Sequence, residues 1–572
     1  MPTELRRSLS PLELGEAHKA PTPSVRTGII RLTVDVPSTH RGTENATGSR
    51  WRTPEFMFYY VVFAVVVPWM VWVPVSLSST SHPNHQSYRH RLAPGWLFGR
   101  QVDNSDVQYR SFRSNIPALT AFLLIFFILK YLYTRPIRRA SAQVADNLHR
   151  LPFYALFSLV MLAVLHGSSA VKVLLILSAN YTIAVTGNGA KWSVLATWVF
   201  NCAVLFANER FGGYRFSSVH PGLAYWDSWS GVYPRWHVSF NITMLRLVSF
   251  NMDYYWALNR VGTLDSGSDL SHKQRTTTYH SPEVYTFRNY LAYVLYPPLY
   301  IAGPIMTFND FMWQLARPLS ISTSSTFRYA LRFLGTLFTM ELVLHYMYVV
   351  AIKDAHAWHG DSPAELSMIG VWNLIVVWLK LLLPWRFFRL WALLDGVDPP
   401  ENMVRCMANS YSTLGFWRSW HRSYNLWIVR YIYIPLGGTK RVVLASLLVF
   451  TFVALWHDLS FRLLTWGWLI TLFILPELAA KQALPASKFA GEWWYRHACA
   501  VGAVMNGFMM VAANLVGFVV GTEGVLYMLR EIVGTFAGMR FLVCACAGLF
   551  VGVQVMFEYR EEELRNGINR RC

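Results

Sequence analysis

The stretch that decides the fold is residues 415–458, which read GFWRSWHRSYNLWIVRYIYIPLGG at 415–438 and VVLASLLVFTFVALWHD at 442–458. The second segment is an apolar run that ends at His457 and Asp458. From Val442 to Trp456 it gives about 22 Å of α-helix, against a membrane hydrocarbon core of about 30 Å. We therefore expect His457 to end a helix inside a membrane or near its far face.

The segment before this helix cannot span a membrane. Pro435 followed by Gly437 and Gly438 predicts a turn. The apolar run Leu426–Leu436 is too short to cross, so we interpret it as interfacial or re-entrant. A re-entrant segment that carries His421 and a short helix that ends at His457 can meet within the bilayer.

Further apolar blocks of membrane length fill the rest of the chain, and we expect about ten to twelve spans. Segments that cross lipid must pair their backbone groups internally, which makes these spans helical. The predicted fold class is therefore an all-α polytopic membrane protein. The predicted blocks are Phe56–Leu77, Ile116–Tyr133, Leu151–His166, Val171–Val185, Trp192–Ala207, Asn289–Phe308, Phe327–Ile352, Leu366–Leu383, Val442–Trp456, Phe461–Leu475, His497–Gly521 and Phe541–Phe557.

Composition supports a membrane protein and excludes other classes. Of the 572 residues, 53% are hydrophobic and only 15% are charged, against about 25% charged in soluble domains. The net charge of +19 fits basic loops beside membrane spans, and we expect no nucleic acid partner. The six cysteines form no CxxC pair, so neither a disulfide framework nor a metal site is predicted.

The chain divides into one large unit and two tails. Residues 1–54 are rich in Ser, Thr, Pro and Arg and predict a mobile polar tail. Residues 55–560 show no fixed-period repeat and predict a single integrated membrane domain, with the motif-rich region at 384–460. Residues 561–572 predict a polar C-terminal tail.

His421 and His457 are the first candidates for chemistry. Ionisable groups inside apolar segments are costly, which makes them functional candidates. A neutral imidazole, whose ordinary pKa is about 6.5, accepts a proton at cellular pH. One histidine would deprotonate an acceptor hydroxyl as it attacks an activated acyl group, and the other would orient that hydroxyl or stabilise the oxyanion. The alternative is that both are core residues that hydrogen-bond to carbonyl groups.

These motifs resemble the membrane-bound O-acyltransferase (MBOAT) family. The segment Trp417–Gly438, followed by Ala454–Asp458, resembles that family's signature, in which an embedded histidine works with an upstream polar residue. The resemblance implies a helical shell with re-entrant segments around a central tunnel, with His457 as the embedded histidine and His421 as its partner.

A narrower resemblance, to the glycerol uptake protein branch, rests on four further segments: 95–113, 300–311, 384–403 and 559–568. That branch implies transfer of a long acyl chain from acyl-CoA to the free sn-2 hydroxyl of a lyso-GPI lipid or GPI-anchored protein. It also implies a location in the endoplasmic reticulum membrane, with the plasma membrane as a second site. The branch name keeps a glycerol/proton symporter open as an alternative.

The residues around the two histidines are the candidate substrate-binding groups: Trp417, Arg418, Arg422, Asn425, Arg430, Trp456 and Asp458. The phosphates of CoA would prefer a basic entrance. The cations near the motifs that would supply it are Lys380, Arg386, Arg389, Arg405, Arg418, Arg422 and Arg430. Each of them is equally explained by contact with lipid head groups.

Transfer from acyl-CoA requires no further cofactor, but the resemblance raises haem at one position. In the related hedgehog acyltransferase branch, a cysteine fifteen residues before the upstream polar residue binds haem. Cys406 stands at that spacing from His421. The alternative is an unreactive thiol near a membrane surface.

Two other patterns compete for a catalytic role. His356 and Asp361 fit the HxxxxD pattern of a different acyltransferase class, but random matches to it are common. Glu341 and His345 share one face of an apolar helix, either as a proton relay or as a packed hydrogen-bonded pair.

Overall fold

The computed structural model describes residues 48–140, 146–264, 270–568 and 570. Over these residues the chain is almost entirely helical, which confirms the predicted all-α class. Most of the predicted tail 1–54 lies outside the described residues, and the first helix begins at Pro54.

The helices and strands follow one another in chain order. The first group is α1 (Pro54–Leu77), α2 (His85–Tyr88), α3 (Val107–Ala140), α4 (Leu151–His166), α5 (Ser169–Gly187), α6 (Lys191–Phe211) and α7 (Ala224–Ser228). The second is α8 (Trp236–Leu258), α9 (His272–Thr277), α10 (Phe287–Val294), α11 (Pro297–Tyr300), α12 (Phe308–Ala316), α13 (Thr323–Tyr346), α14 (Val349–Asp354) and α15 (Pro363–Asp395). The last is α16 (Thr413–Ser419), α17 (Arg422–Ile428), α18 (Val442–His457), α19 (Phe461–Ala483), α20 (Ala486–Phe489), α21 (Tyr495–Phe518), α22 (Gly521–Gly534) and α23 (Phe536–Arg565). Strands β1 (Leu92–Pro94) and β2 (Gln101–Asp103) pair antiparallel, and β3 (Thr263–Leu264) and β4 (Thr278–Tyr279) pair parallel.

Eight helices in the described part of the chain are long and apolar enough to cross a membrane: α1, α3, α4, α5, α15, α19, α21 and α23. Each coincides with one of the predicted blocks. The chain is therefore a multi-pass membrane protein.

The other four predicted blocks do not form helices that are both long and apolar enough to cross a membrane. The block 289–308 is not one helix, because Pro297 and Pro298 separate α10 from α11. Helix α6 is continuous, but it buries polar side chains such as Asn201 and Asn208. The block 327–352 divides into α13 and α14, and α13 buries Glu341 and His345.

The fourth block, α18, has the predicted short length. Its position in the bundle is determined by the helices that pack against it. It packs against α19, which in turn packs against α21. Gly467 on α19 permits this close approach, because a Cβ there would lie 2.8 Å from the Phe450 carbonyl oxygen of α18. Since the helix ends at His457, this packing fixes where the histidine stands in the bundle.

The final helix extends into the predicted C-terminal tail. Helix α23 runs to Arg565, and its buried Glu563 accepts two hydrogen bonds from Arg405, at 3.2 and 2.7 Å. This ion pair ties the end of the chain to the loop between α15 and α16.

Candidate active site

His421 lies in a tight turn between α16 and α17. Its backbone is left-handed, with φ 42° and ψ 50°, a conformation that is costly for a residue with a Cβ. Buried Asn402 stabilises the turn, because its carbonyl accepts from the Arg422 N–H at 3.1 Å and its side-chain oxygen accepts from the Ser423 N–H at 3.1 Å. Strained backbone that is held by its surroundings is typical of functional sites.

A π-helical segment follows this turn. Residues Val429–Tyr433 continue α17 in π geometry, which is rare and frequent at functional sites. Together α17 and this segment are too short to span a membrane, which agrees with the predicted interfacial or re-entrant stretch.

His457 is positioned by the last turn of α18. The neighbouring Trp456 is buried, and its indole N–H donates to the Asn241 carbonyl at 2.8 Å. The Asn241 side chain donates back to the Trp456 carbonyl at 3.0 Å. Trp466 and Phe518 lie edge-on to the His457 ring, with centroids at 6.3 and 6.2 Å.

A row of aromatic rings connects the two histidines. The His421 ring stacks on Trp385 at 4.5 Å between centroids and lies 5.2 Å from the Tyr424 ring. Tyr424 lies 4.5 Å from Trp456, which is 4.8 Å from His457. Two rings, Tyr424 and Trp456, thus separate the imidazoles. The four rings form one continuous aromatic wall.

That wall borders a cavity of about 2,260 Å³. Both histidines line it, and the rest of its lining is mainly apolar. Within the described residues, no protein group hydrogen-bonds to either imidazole ring. The ring nitrogens are therefore available to a molecule in the cavity, and the alternative of two histidines bonded to core carbonyls has no support.

The structure brings some of the predicted substrate-binding residues to this cavity and leaves others away from it. Trp417, Asn425 and Trp456 line the cavity. Arg418, Arg422, Arg430 and Asp458 are not among the described lining residues. Arg430 donates to buried Asp253 at 2.9 Å, and both Arg418 and Asp458 are exposed.

Most of the cations predicted to form a basic entrance are paired with other residues of the protein. Lys380 pairs with Asp106 at 2.6 Å, and Arg389 pairs with Asp398 at 2.6 Å. Arg405 is held by Glu563. Arg386 donates to the Thr336 hydroxyl. Each of these four cations has a partner within the protein, and none of them is among the described residues that line the cavity beside the two histidines.

Cys406 offers no enclosed pocket for haem. The thiol is exposed, and the cavity beside it measures about 240 Å³, below the roughly 300–1,000 Å³ of typical ligand pockets. Arg332, Arg386 and Arg405 line that cavity. The residues present do not fit an enclosed haem, and its ligation by Cys406 stays a prediction that an absorption spectrum of the purified protein would test.

Three residues of the site could not be singled out from the sequence. Asn241 lies 215 positions from its partner Trp456, and no motif marks it. Trp385 and Tyr424 fall within conspicuous aromatic segments, but the pattern gave no reason to choose these rings. Their roles follow from tertiary contacts alone.

The competing patterns have structural roles away from the cavity. Glu341 accepts hydrogen bonds from Trp96 at 2.9 Å and Tyr109 at 2.7 Å, and the His345 ring bonds to its carbonyl at 2.7 Å. This favours the packed pair over the relay. Asp361 accepts from Asn84 at 2.9 Å, and it does not line the cavity in the part of the chain that is described.

Comparison with known proteins shows which family the chain belongs to. Residues 190–522 match the MBOAT, membrane-bound O-acyltransferase family. The chain is 45% identical to the membrane-bound O-acyltransferase GUP1 of Saccharomyces cerevisiae, over 92% of this chain and 94% of the relative. It is 42% identical to the gup1 protein of Schizosaccharomyces pombe, over 91% and 90%. A shorter match, 30% identical over 34% of this chain and 40% of the relative, is to the mouse protein-cysteine N-palmitoyltransferase HHAT. The chain belongs to the membrane-bound O-acyltransferase family and is an acyltransferase.

Proposed function

We propose that this enzyme transfers a long-chain acyl group from acyl-CoA to a lipid hydroxyl, namely the free sn-2 hydroxyl of a lyso-GPI anchor. The observation that carries the proposal is the apolar cavity of about 2,260 Å³ that His421 and His457 both border. A space of that size and lining accommodates alkyl chains and exposes them to two free imidazoles.

His457 is the proposed general base. One of its nitrogens takes the proton of the acceptor hydroxyl while the hydroxyl oxygen attacks the thioester carbonyl carbon. The C–O bond forms, the tetrahedral intermediate collapses, and the C–S bond breaks. The imidazolium then returns its proton to the CoA thiolate. The products are an ester and free CoA, and His457 is again neutral.

His421 is the proposed partner at the other end of the aromatic row. Its ring is held flat against Trp385, with 21° between the ring planes. A fixed imidazole that borders the cavity would orient the acceptor or donate to the developing oxyanion. Preorganisation of this kind explains why the chain holds a strained backbone at this position.

A hydroxyl acceptor has further support. The relatives that match nearly the whole chain carry the name O-acyltransferase, whereas the N-palmitoyltransferase matches only a third of it. For the glycerol/proton symporter, a polyol site would need a dense set of polar groups. The mainly apolar lining of the cavity gives no support to that alternative, which uptake of labelled glycerol into proteoliposomes would test.

The test of the proposal is acyl transfer by purified protein in nanodiscs, with radiolabelled palmitoyl-CoA and a lysophosphatidylinositol acceptor. His457→Gln keeps a polar side chain but loses the base, and we expect a roughly 10³-fold loss of kcat. His90→Gln, on an exposed residue between α2 and β1, is the matched control and should keep full activity. Transfer that survives in a folded His457→Gln protein would overturn the mechanism.

The GPI assignment and the location need a cellular experiment. A strain that lacks its own GPI-remodelling acyltransferase would be complemented with this chain, and its GPI lipids would be analysed. We expect remodelled anchors with the wild-type chain, lyso-GPI with His457→Gln, and the protein in the endoplasmic reticulum membrane, with a second pool at the plasma membrane. Unremodelled anchors with an active wild-type chain would assign it to a different lipid hydroxyl.

A further inference from the structure

We infer that Arg540 and the groove along α23 form the entry site for a phospholipid, with the phosphate on Arg540 and an alkyl chain along the helix. This inference rests on the proposed function and deepens it, because it gives the acceptor lipid a path from the bilayer to the histidines. It also assigns a phosphate-bearing head group to that acceptor.

The first observation is the shape of the groove. One face of α23 lines the cavity over most of its length, from Arg540 to Tyr559. That distance is about 28 Å of helix, close to the roughly 30 Å hydrocarbon core. The groove is thus long enough to reach across a hydrocarbon core, and it belongs to the same cavity as the two histidines.

The second observation is its lining. Small residues on α23 leave room for a chain: Ala537, Ala545, Gly548 and Gly552. A Cβ added at Gly552 would meet no atom within 4 Å, and one at Gly548 would only touch Val66 at 3.8 Å. The opposite walls are the apolar side chains Val62, Val66 and Trp69 of α1 and Met528 and Ile532 of α22.

The third observation is charge. Among the described lining residues, Arg540 is the only Lys, Arg, Asp or Glu of the whole cavity. Its guanidinium is exposed and lies 5.5 Å from the Phe536 ring of its own helix. It pairs with no carboxylate in the described part of the chain, in contrast to Lys380, Arg389, Arg405 and Arg430. A guanidinium matches phosphate geometry by two parallel hydrogen bonds.

One end and the middle of the groove match one molecule. Arg540 supplies a cation at one end, and the lining between it and Met556 is apolar. A phospholipid has this order of an anionic head and a long apolar chain. The alternative for Arg540 is that it only extends toward bulk head groups, as basic side chains near helix ends do.

Direct binding separates these two alternatives without any need for catalysis. Native mass spectrometry of the detergent-purified protein, with added phosphatidylinositol, counts bound lipid. Arg540→Gln should reduce the bound fraction about tenfold, and Arg540→Lys should retain part of it. The control Arg530→Gln, on an exposed cation of α22 that does not line the cavity, should bind as wild type. Equal binding by Arg540→Gln and Arg530→Gln overturns the site.

A second pair of variants tests the groove itself. Gly552→Leu fills the open space, whereas Gly502→Leu places the same side chain on α21 at a position that is also open but does not line the cavity. Both changes raise helix propensity at a position where an added Cβ meets no atom within 4 Å, so we expect both variants to fold. We expect loss of bound lipid in Gly552→Leu alone. Lipid retention by Gly552→Leu would show that the groove takes no chain.

Kinetics then link the site to the proposed function. For a lysophosphatidylinositol acceptor, Arg540→Gln should raise the acceptor KM about tenfold and leave kcat and the palmitoyl-CoA KM unchanged. For a monoacylglycerol acceptor without phosphate, the same variant should behave as wild type. An equal rise for both acceptors overturns the phosphate assignment. If the wild type transfers no acyl group at all, the proposed function fails, while the binding measurements still decide the lipid site.

Discussion

Asn241 and Trp456 exchange two hydrogen bonds across 215 positions of the chain. The indole N–H of Trp456 donates to the Asn241 backbone, and the Asn241 amide donates to the Trp456 backbone. Because His457 is the next residue, this exchange anchors the end of α18 to α8 at the point where the proposed base enters the cavity.

The first prediction concerns this anchor. Asn241→Leu removes one of the two hydrogen bonds and leaves the Trp456 carbonyl without its partner, which costs about 1–3 kcal/mol of stability. We expect kcat to fall about tenfold or more, because misplacement of a catalytic group by about 1 Å has large effects. Nanodisc kinetics should show little change in the palmitoyl-CoA KM. Asn259→Ala, at the end of the same helix, is the control, and equal kcat values for the two variants would contradict the anchor role.

The second prediction separates stability from activity at His421. Asn is one of the few residues with a Cβ that readily adopt left-handed backbone, so His421→Asn should keep the thermal unfolding midpoint close to that of the wild type. It should still lower kcat about 10- to 100-fold, because the imidazole is lost. Arg260 has a similar backbone, with φ 54°, and lies outside the described lining of the cavity. Arg260→Asn should therefore relieve the same strain at full activity. Full activity in His421→Asn would show that catalysis does not need an imidazole at this position.

The third prediction concerns the buried pair of Arg405 and Glu563. Arg405→Met removes the main partner of the buried Glu563 carboxylate. Breaking such a pair lowers the free energy of unfolding by about 3–5 kcal/mol. Arg570, at 3.4 Å from Glu563, favours the lower end of that range. The double variant Arg405→Met with Glu563→Leu should recover most of the unfolding midpoint.

The control for this pair is Lys481→Met. Lys481 is 60% exposed in its pair with Glu477, so its loss should cost at most about 1 kcal/mol. Thermal unfolding in detergent compares the variants. A double variant as unstable as Arg405→Met alone would show that the pair does not act as a unit.

The fourth prediction decides between a relay and a packed pair at Glu341. Glu341→Gln keeps the shape but weakens the hydrogen bonds from Trp96, Tyr109 and Arg113, at a cost of about 1–3 kcal/mol. If the role is packing, the folded fraction should keep the wild-type kcat. A large loss of kcat in a fully folded Glu341→Gln protein would instead identify a proton relay.

Much of the fold and part of the site follow from local sequence. The eight long apolar helices each coincide with a predicted block, and α18 has the predicted short length that ends at His457. The prediction for 289–308 was wrong as a single span, because Pro297 and Pro298 interrupt the helix although the segment is apolar. Both histidines line the cavity, yet four of the seven predicted substrate-binding residues do not.

The sequence by itself determined that the chain is a helical membrane protein and which histidines could do chemistry, because hydropathy, helix length and turn residues are local properties. Only the tertiary structure decided what each charge and polar group does. Arg389, Arg405 and Arg430 could not be told from Arg540 along the chain, since whether a cation is free depends on carboxylates that are distant in sequence. For the same reason the role of Asn241 could not be predicted from the sequence. That role exists only because folding brings α8 to the end of α18.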